Sequence, residues 1–324
     1  MRVLVCGGAG YVGAHAVKIL AMAGHDVTVF DNLSTGHRAA VRWGKFVEGD
    51  LLDTGALKRL FAEQKFDGVM HFCAMSQVGE SVWQPFAYYR NNVTGSLNLL
   101  EAMKQAEVDR LVFSSTAAVY GQPSKDLLDE THPTLPINPY GASKLMVERM
   151  LQDAAQAYGL RSVALRYFNA AGADPEGEIG ESHSPETHLI PNVLQNALGQ
   201  SGGLQVYGND YATRDGTCVR DYVHVADLAE AHLLALRYLG AHTGAHQLNL
   251  GSGAGYSVME IIETARQVTG CSIEYVLAPR RAGDPPTLVA DATRAIQMLG
   301  WQPRFDDVRS IIETAWRWHR MPLY

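Results

Sequence analysis

A glycine-rich turn near the start of the chain constrains the fold more than any other feature. Residues 7–13 read GGAGYVG, and they follow an apolar run at residues 3–6. Apolar residues with helical spacing come next, and a second apolar run at residues 27–30 ends at Asp31. This order predicts a strand, a helix and a second strand. The backbone amides of such a turn, together with the helix N-terminus, can bind a pyrophosphate.

The position of Asp31 indicates which dinucleotide the turn would bind. A carboxylate at this distance from the glycines can accept hydrogen bonds from a ribose diol, and it would repel a 2′-phosphate. The pattern therefore favours NAD over NADP. A glycine-rich loop without a ligand is the alternative, and the surrounding strand and helix signals argue against it.

A second motif lies near the middle of the chain, where residues 140–144 read YGASK. Tyr140 and Lys144 are four residues apart, so their side chains share one face of a helix. A cation beside a phenol favours the phenolate, which can act as a base near neutral pH. Alone, this spacing also occurs on ordinary helix faces. Together with the glycine turn it predicts a nicotinamide enzyme.

Length, charge and cysteine content limit the classes of protein that the chain can belong to. A chain of 324 residues suggests two lobes, and the net charge of −7 without a basic tract argues against a nucleic-acid partner. Because the first strand begins at Arg2, we expect no signal peptide, and no apolar run approaches the length of a membrane span. The four scattered cysteines are expected to be free thiols. These features predict a cytoplasmic protein.

The twelve histidines do not show the sequence spacing of a metal site. His183 and His188 are five residues apart in a polar stretch, and no HExxH motif occurs. We therefore expect no metal. The GxSxG motif of many serine hydrolases is also absent.

Alternating strand and helix signals predict an α/β fold with a Rossmann-type doubly wound parallel sheet and a smaller C-terminal α/β substrate domain. Residues 1–170 are expected to form the NAD-binding domain, and residues 171–324 mainly the substrate-binding domain, with some chain crossings back to the large domain. The predicted strands include residues 68–72, 110–114 and 162–167, and the predicted helices include residues 92–103, 140–158, 191–199, 225–239, 257–269 and 308–319. A polar loop at residues 170–186 is expected to cover the substrate.

Further segments give the chain a resemblance to the extended short-chain dehydrogenase/reductases. These segments are FSST at residues 113–116, VYG at residues 119–121 and RYFN at residues 166–169. More specific segments resemble the UDP-glucose 4-epimerases within that superfamily: VGES at residues 78–81, YGNDY at 207–211, VRDYVHV at 219–225 and RRAGDP at 280–285. The resemblance covers nearly the whole chain.

The resemblance implies a reaction and a set of catalytic residues. It implies reversible inversion of C4 of a UDP-hexose through a transient 4-keto sugar, with the hydride removed and returned by the same bound NAD. Tyr140 would be the base, Lys144 and the nicotinamide would lower its pKa, and the Thr116 hydroxyl would contact the sugar O4. A homodimer is also implied, with an interface near residues 89–103 and 140–158.

The same resemblance implies two sets of binding residues. Those on the cofactor side are Gly7, Gly10, Tyr11, Val12, Gly13, Asp31, Asn32, Asp50, Leu51, Phe72, Asn91, Tyr140, Lys144 and Tyr167. Those on the substrate side are Thr116, Tyr140, Asn169, His188, Leu189, Gln205, Tyr207, Arg220, Arg281, Asp284 and Leu288.

The chain departs from the familiar family pattern at three positions. Ser76 stands where a lysine is common, and His188 stands where an asparagine usually precedes the Leu-x-Pro segment. Leu288 occupies a position that holds tyrosine in some members and a small residue in others. The sequence therefore leaves open UDP-glucose and UDP-galactose, their N-acetylated forms, and UDP-xylose and UDP-arabinose as substrates.

Three other functions share part of this pattern. A nucleotide-sugar dehydratase would need an additional acid and base where this chain has Ala117 and Ala118 after Thr116. A net NAD-dependent dehydrogenase would consume added cofactor. A non-catalytic NAD sensor would not need Thr116, Tyr140 and Lys144 together.

Overall fold

The computed structural model describes residues 1–200, 203–281 and 284–324. Its strands are β1 (Arg2–Cys6), β2 (Asp26–Asp31), β3 (Lys45–Glu48), β4 (Gly68–His71), β5 (Arg110–Thr116), β6 (Leu127–Leu128), β7 (Arg161–Tyr167), β8 (Asn169–Ala171), β9 (Leu204–Tyr207), β10 (Val219–Arg220), β11 (Tyr222–His224), β12 (Ala245–Leu250), β13 (Tyr256–Ser257), β14 (Tyr275–Ala278) and β15 (Thr287–Ala290). Its α-helices are α1 (Tyr11–Met22), α2 (Thr54–Glu63), α3 (Val78–Trp83), α4 (Pro85–Tyr88), α5 (Gly95–Gln105), α6 (Pro139–Tyr158), α7 (Leu189–Ala197), α8 (Val225–Tyr238), α9 (Val258–Thr269), α10 (Thr293–Leu299) and α11 (Val308–Arg320).

A seven-stranded parallel sheet forms the centre of the molecule, in the order β12-β7-β5-β4-β1-β2-β3. Its inner strands are nearly continuous apolar runs because helices cover both faces. In β1, for example, Val5 is fully buried and pairs with Val29 of β2 and Met70 of β4. This architecture confirms the predicted α/β fold with a Rossmann-type parallel sheet.

Two apolar cores lie on opposite faces of the sheet. One core contains buried residues of α1 and α8, such as Val17 and Leu236. The other contains buried residues of α2, α5 and α6, such as Leu57, Leu99 and Val147. This two-sided packing fixes the strand ends, and it therefore fixes the side chains that follow them.

One strand of the large sheet comes from the second half of the chain. Strand β12 pairs in parallel with β7 and forms one edge, although the two strands are far apart in sequence. A hydrogen bond of 2.6 Å from the Tyr120 hydroxyl to Asn249 Oδ1 ties this edge to the turn after β5.

A third core is built mainly from the second half of the chain. It contains Ile190 of α7, Ile262 of α9 and Ile312 of α11, together with Tyr222 of β11. Smaller sheets accompany it: β13-β10-β15-β6, β11-β8 and β14-β9. In the first of these, β6 comes from the first half of the chain, so the two halves share elements.

The predicted strands and long helices occur within a few residues of their expected bounds. The helix predicted at residues 92–103 differs at its start, where a π-helical segment at Tyr89–Thr94 leads into α5. Short strands such as β8, β10 and β13 were not predicted. Within the described ranges, no helix has the length and apolar character that crossing a bilayer requires.

Candidate active site

The carboxyl ends of several sheet strands supply the predicted functional residues. Asp31 ends β2, Thr116 ends β5 and Tyr167 ends β7. Parallel strands present these ends at one edge of the sheet, which is where ligands bind in such folds.

The glycine turn between β1 and α1 is too crowded for side chains. Gly7 has φ +82°, and a Cβ there would lie 2.7 Å from the Cys73 backbone nitrogen. A Cβ on Gly13 would lie 2.0 Å from the Gly7 carbonyl oxygen. Gly10 caps the N-terminus of α1 without a side chain. Glycine is therefore required for the tightness of this turn, and the start of α1 at residues 10–12 remains partly exposed. The residues present thus fit the pyrophosphate of NAD.

Asp31 is held beside this turn by backbone amides. Its Oδ2 accepts a hydrogen bond of 2.9 Å from the Ala9 amide, and its Oδ1 accepts one of 2.8 Å from the Leu33 amide. Burial raises the pKa of Asp31, and the two amide hydrogen bonds oppose that shift. Each oxygen retains acceptor capacity, so the carboxylate can still receive the hydroxyls of a ribose.

Most of the remaining residues predicted on the cofactor side follow the turn or neighbouring strands, and Asn91 lies in the π-helical segment before α5. Asn32 donates a 2.8 Å hydrogen bond to Asp50, and the Tyr11 hydroxyl donates one of 2.6 Å to the Gly172 carbonyl. Asn91 donates one of 2.9 Å to the Asn92 side chain. Three apolar positions complete the set: Val12 in the first turn of α1, Leu51 after β3 and Phe72 after β4.

The start of α6 places Tyr140 against the turn that follows β5. Asn138 caps this helix by accepting a 2.8 Å hydrogen bond from the Gly141 amide, and Pro139 occupies its first position. A Cβ on Gly141 would lie 2.5 Å from the Ala118 carbonyl oxygen, so only glycine permits this close approach. The approach brings Tyr140 next to Thr116.

Lys144 lies one helical turn further along and is 2% exposed. Its Nζ donates a hydrogen bond of 2.8 Å to the Ser114 carbonyl and lies 6.0 Å from the centre of the Tyr140 ring. Burial lowers the pKa of Lys144 to about 7, while the nearby Cys73 and Glu148 oppose this shift.

The surroundings of Tyr140 differ from the sequence-based expectation in one respect. Burial raises the pKa of its phenol, and a hydrogen bond with Thr116 lowers it. The protein alone therefore does not bring this phenol toward neutrality. A cation beside the ring, such as an oxidised nicotinamide, would supply the missing stabilisation of the phenolate.

A buried ionic network beneath Lys144 was not found from the sequence. Glu148 receives hydrogen bonds of 2.9 and 2.5 Å from the Arg166 guanidinium and one of 2.5 Å from Ser115. Arg166 also donates to the Tyr120 hydroxyl at 3.0 Å. One signal was present: Glu148 is four residues after Lys144, which places both on one helix face.

The predicted substrate residues lie on several short elements. Asn169 and Leu189 line a cavity with Tyr222, and His188 lies at its wall. The Tyr207 hydroxyl donates a 2.6 Å hydrogen bond to Gln205 on β9. The cavity therefore lies between β8 and the start of α7.

Two arginines predicted to bind phosphate contact other members of the predicted set. The Arg281 guanidinium stacks on the Tyr207 ring, with its carbon 3.9 Å from the ring centre. Arg220 lies 3.4 Å from the Asp284 carboxylate and donates a 2.9 Å hydrogen bond to the Pro285 carbonyl. Of the RRAGDP segment, residues 282 and 283 lie outside the described residues.

Leu288 lies on β15 directly beside Arg220 of β10. Its side chain packs against the apolar cluster of the turn after β5, which contains Ala117 and Val119. Leu288 therefore belongs to the same apolar cluster as residues of the segment that follows Thr116. Ser76, by contrast, is exposed on the segment after β4.

The chain shares sequence and fold with characterised proteins along nearly all of its length. Residues 3–251 match the model of the NAD dependent epimerase/dehydratase family. The chain is 54% identical over 320 residues to a UDP-glucose 4-epimerase of Lacticaseibacillus casei, covering 98% of this chain and 97% of that protein.

Two solved structures extend this similarity to the fold. The UDP-glucose 4-epimerase from Brucella ovis in complex with NAD matches with a TM-score of 0.95 and 51% identity over 97% of each chain. The UDP-glucose 4-epimerase from Bifidobacterium longum in complex with NAD+ and UDP matches with a TM-score of 0.95 and 38% identity over 99% of each chain. The sequence-based resemblance is thereby confirmed, and the chain belongs to the NAD dependent epimerase/dehydratase family.

Proposed function

We infer that this protein catalyses the NAD-dependent, reversible inversion of C4 of a UDP-hexose. The observation that carries this conclusion is the grouping of Thr116, Tyr140 and Lys144 at the end of β5, in a chain about half identical to UDP-glucose 4-epimerases over its full length. The turn after β1 and Asp31 would hold NAD, and its nicotinamide would supply the acceptor for the C4 hydride and the donor that restores it on the opposite face of the 4-keto sugar.

Side chains of the protein are proposed to accept and return the proton of the sugar O4 hydroxyl. We propose that Tyr140 takes this proton as general base, while the Thr116 hydroxyl, which contacts the phenol, orients the sugar O4. Lys144 contributes a buried positive charge that favours the phenolate. The Ser114 carbonyl accepts a hydrogen bond from Lys144 and thereby fixes the amine against the end of β5.

The UDP moiety is proposed to lie along β10, α7 and β9. Arg220 and Arg281 provide guanidinium groups suited to a pyrophosphate, and Asn169 adds an amide donor. Asp284 and Tyr207 are proposed for the ribose and uracil, with Gln205, His188 and Leu189 nearby. Support comes from the solved Bifidobacterium longum enzyme, which contains NAD+ and UDP and matches 99% of this chain.

Selectivity at C2 of the sugar is proposed to depend on Leu288. Its side chain packs against the apolar cluster that includes the turn after Thr116, which supports a place near the reacting end of the substrate. A leucine there occupies space that an N-acetyl group would need. We therefore propose a preference for UDP-glucose and UDP-galactose over their N-acetylated forms.

A homodimer is proposed from the distribution of exposed apolar side chains. Trp83 and Phe86 are 86% and 81% exposed, and they lie on α3 and α4, which pack beside α6. Leu97 of α5 and Met146 of α6 are also exposed. Such a concentration of apolar surface is typical of a protein interface, and a second copy of this chain would cover it.

Two further assignments are proposed in the same way. The large domain is assigned to residues 1–170 and the UDP-sugar domain mainly to residues 171–324. The third core supports this division, while α8 and β12 return to the large sheet.

A cytoplasmic location is proposed because the four cysteines are free thiols, as is usual in a reducing compartment.

The decisive experiment incubates the purified protein with UDP-galactose, UDP-N-acetylgalactosamine or UDP-arabinose without added NAD, and resolves the products. We expect UDP-glucose to form from UDP-galactose at equilibrium, with NAD recovered from the denatured protein. Accumulation of NADH in proportion to product would instead indicate a net dehydrogenase. Release of a dehydrated 4-keto sugar would indicate a dehydratase.

A further inference from the structure

Four side chains with metal-binding atoms converge in the segment between β8 and α7. Glu181, His183, Glu186 and His188 each offer one nitrogen or oxygen, and these atoms all lie within 4.8 Å of one another. The Glu181 and Glu186 side chains are only 3% and 5% exposed. Two nearly buried carboxylates this close together require positive charge nearby.

Among the described residues, only the two histidines lie within ion-pair distance of these carboxylates. His183 Nδ1 lies 3.1 Å from Glu181 and 3.7 Å from Glu186. His188 Nδ1 contacts Glu181 and lies 3.7 Å from Glu186. A neutral imidazole carries no charge, so the cluster is neutralised either by protons on both rings or by one divalent cation.

In a neighbouring group of carboxylates, a lysine supplies the compensating positive charge. Asp174, Glu176 and Glu178 also converge, but the Lys18 ammonium lies among them at 2.6–2.8 Å. Their charge is therefore already compensated by a lysine, and that group has no place for a cation. Within the described ranges, no lysine or arginine forms an ion pair with Glu181 or Glu186.

The segment that carries the four side chains is anchored by its backbone. The Trp318 indole donates a 2.9 Å hydrogen bond to the Glu181 carbonyl, and a ring nitrogen of His37 lies 2.9 Å from the Ser182 carbonyl. The His188 amide donates a 2.8 Å hydrogen bond to Glu186. These contacts hold the cluster in position before any ligand binds.

We propose that Glu181, His183, Glu186 and His188 form a binding site for one divalent transition-metal ion, best matched by Zn²⁺. Two imidazoles and two carboxylates are a donor set that Zn²⁺ accepts. Tetrahedral bonds of about 2.0–2.1 Å place ligand atoms about 3.3–3.4 Å apart. Three of the four histidine–glutamate separations, at 3.1, 3.7 and 3.7 Å, lie around that value. The fourth pair, His188 Nδ1 and Glu181, is in direct hydrogen-bond contact and would move apart around an ion. Mg²⁺ and Ca²⁺ prefer all-oxygen sites.

This proposal differs from the expectation of no metal. The spacing of these residues in the sequence does not match a known zinc motif, and only the fold shows that Glu181 and Glu186 lie beside the two histidines. A bound ion would tie residues 181–188 together at the wall of the substrate cavity, which His188 and Leu189 line. It would act on the stability of this segment rather than on the transfer of hydride or proton at Tyr140.

The test measures metal content of the holoenzyme, prepared without a histidine tag. We expect about one Zn²⁺ per chain after incubation with ZnCl₂ and dialysis, and a higher melting temperature with Zn²⁺ than with Mg²⁺. The double variant His183→Gln/His188→Gln should lose the bound ion and the thermal shift. His242→Gln, which removes an exposed histidine on another surface, should retain both.

A spectroscopic measurement on the unmodified protein keeps the test independent of whether the double variant folds. Co²⁺ titrated into chelator-treated wild-type protein should give the intense visible bands of a tetrahedral ion, and Zn²⁺ should abolish them. Wild-type protein that takes up no Co²⁺ with these bands would overturn the site. So would equal Zn²⁺ content in wild type and the double variant.

Discussion

The Lys144 ammonium and the Ser114 carbonyl are joined by a hydrogen bond of 2.8 Å inside the protein. Lys144 is 2% exposed, and burial lowers its pKa to about 7, well below the ordinary value for lysine. Its charge is therefore held at a cost in folding free energy. We propose that its role beside Tyr140 is the reason that the fold retains it.

Lys144→Met should stabilise the NAD-free protein while abolishing most activity. A pKa lowered from 10.5 to about 7 costs up to about 5 kcal/mol at or below pH 7, and loss of the hydrogen bond to Ser114 offsets about 2 kcal/mol. We expect a net gain of about 1–3 kcal/mol in the free energy of unfolding at pH 7, measured by urea denaturation.

The pH dependence provides the control for this variant. The unfolded lysine binds a proton below about pH 10.5, whereas the folded one binds it only below about pH 7, so wild-type stability gains relative to the variant as the pH rises between these values. The difference should therefore shrink from pH 7 to pH 9. A difference that stays constant over this range would contradict burial of the charge as its origin.

Tyr140→Phe should reduce kcat by about 100-fold or more, because it removes the proposed general base and keeps most of the ring's packing volume. UDP affinity and bound NAD should stay close to wild type, as measured by calorimetry and by nucleotide release on denaturation. Near-wild-type turnover in this variant would reject Tyr140 as the base.

Gly13→Ala should disrupt the glycine turn between β1 and α1. The added Cβ would lie 2.0 Å from the Gly7 carbonyl oxygen, so the turn must move. We expect a loss of about 1–3 kcal/mol in unfolding free energy and a large decrease in co-purified NAD. Gly79→Ala is the matched control, since nothing lies within 4 Å of a Cβ at that helical position. Equal NAD content in the two variants would count against the turn as the pyrophosphate site.

Leu288→Cys should raise the ratio of kcat/KM for UDP-N-acetylgalactosamine to that for UDP-galactose, and Leu288→Tyr should lower it. Removing or adding a few carbon atoms in a pocket typically changes such a ratio by about 10-fold or more. The measurement compares initial rates on both sugars for the three proteins. If none of the ratios differs, the selectivity gate lies elsewhere.

Trp83→Glu combined with Phe86→Glu should dissociate the proposed homodimer. Burying two charges in an apolar interface is expected to weaken association by about 100-fold or more, and analytical ultracentrifugation would report the change. Met22→Glu alters another exposed apolar side chain, on α1, and should leave the dimer intact. A monomeric wild type at micromolar concentration would refute this interface.

The sequence predicted the large sheet well because its strands are buried on both faces. Apolar runs such as residues 27–30 and 162–167 have few other interpretations when helical patterns alternate with them. The short strands were missed because two or three residues, as in β10 and β13, carry no measurable period. Their positions depend on tertiary contacts, such as the Asp221 carboxylate accepting a 3.0 Å hydrogen bond from the Ala290 amide.

The candidate site, too, was predictable from the sequence only in part. Tyr140 and Lys144 were predictable because helical spacing fixes which side chains share a face. The raised pKa of Tyr140 was not, because it depends on burial that neither residue reveals. Likewise, Arg166 and Glu148 form their ion pair only because β7 and α6 pack together, which no local pattern specifies.

The placement of β12 at the sheet edge has a consequence for synthesis of the chain. β7 emerges from the ribosome about 80 residues before its outer partner, which corresponds to about 4–16 s of translation. During that interval its unpaired edge is open to pairing with other chains. A fragment ending near residue 170 would keep this edge permanently, so we expect residues 1–170 to aggregate when they are expressed alone.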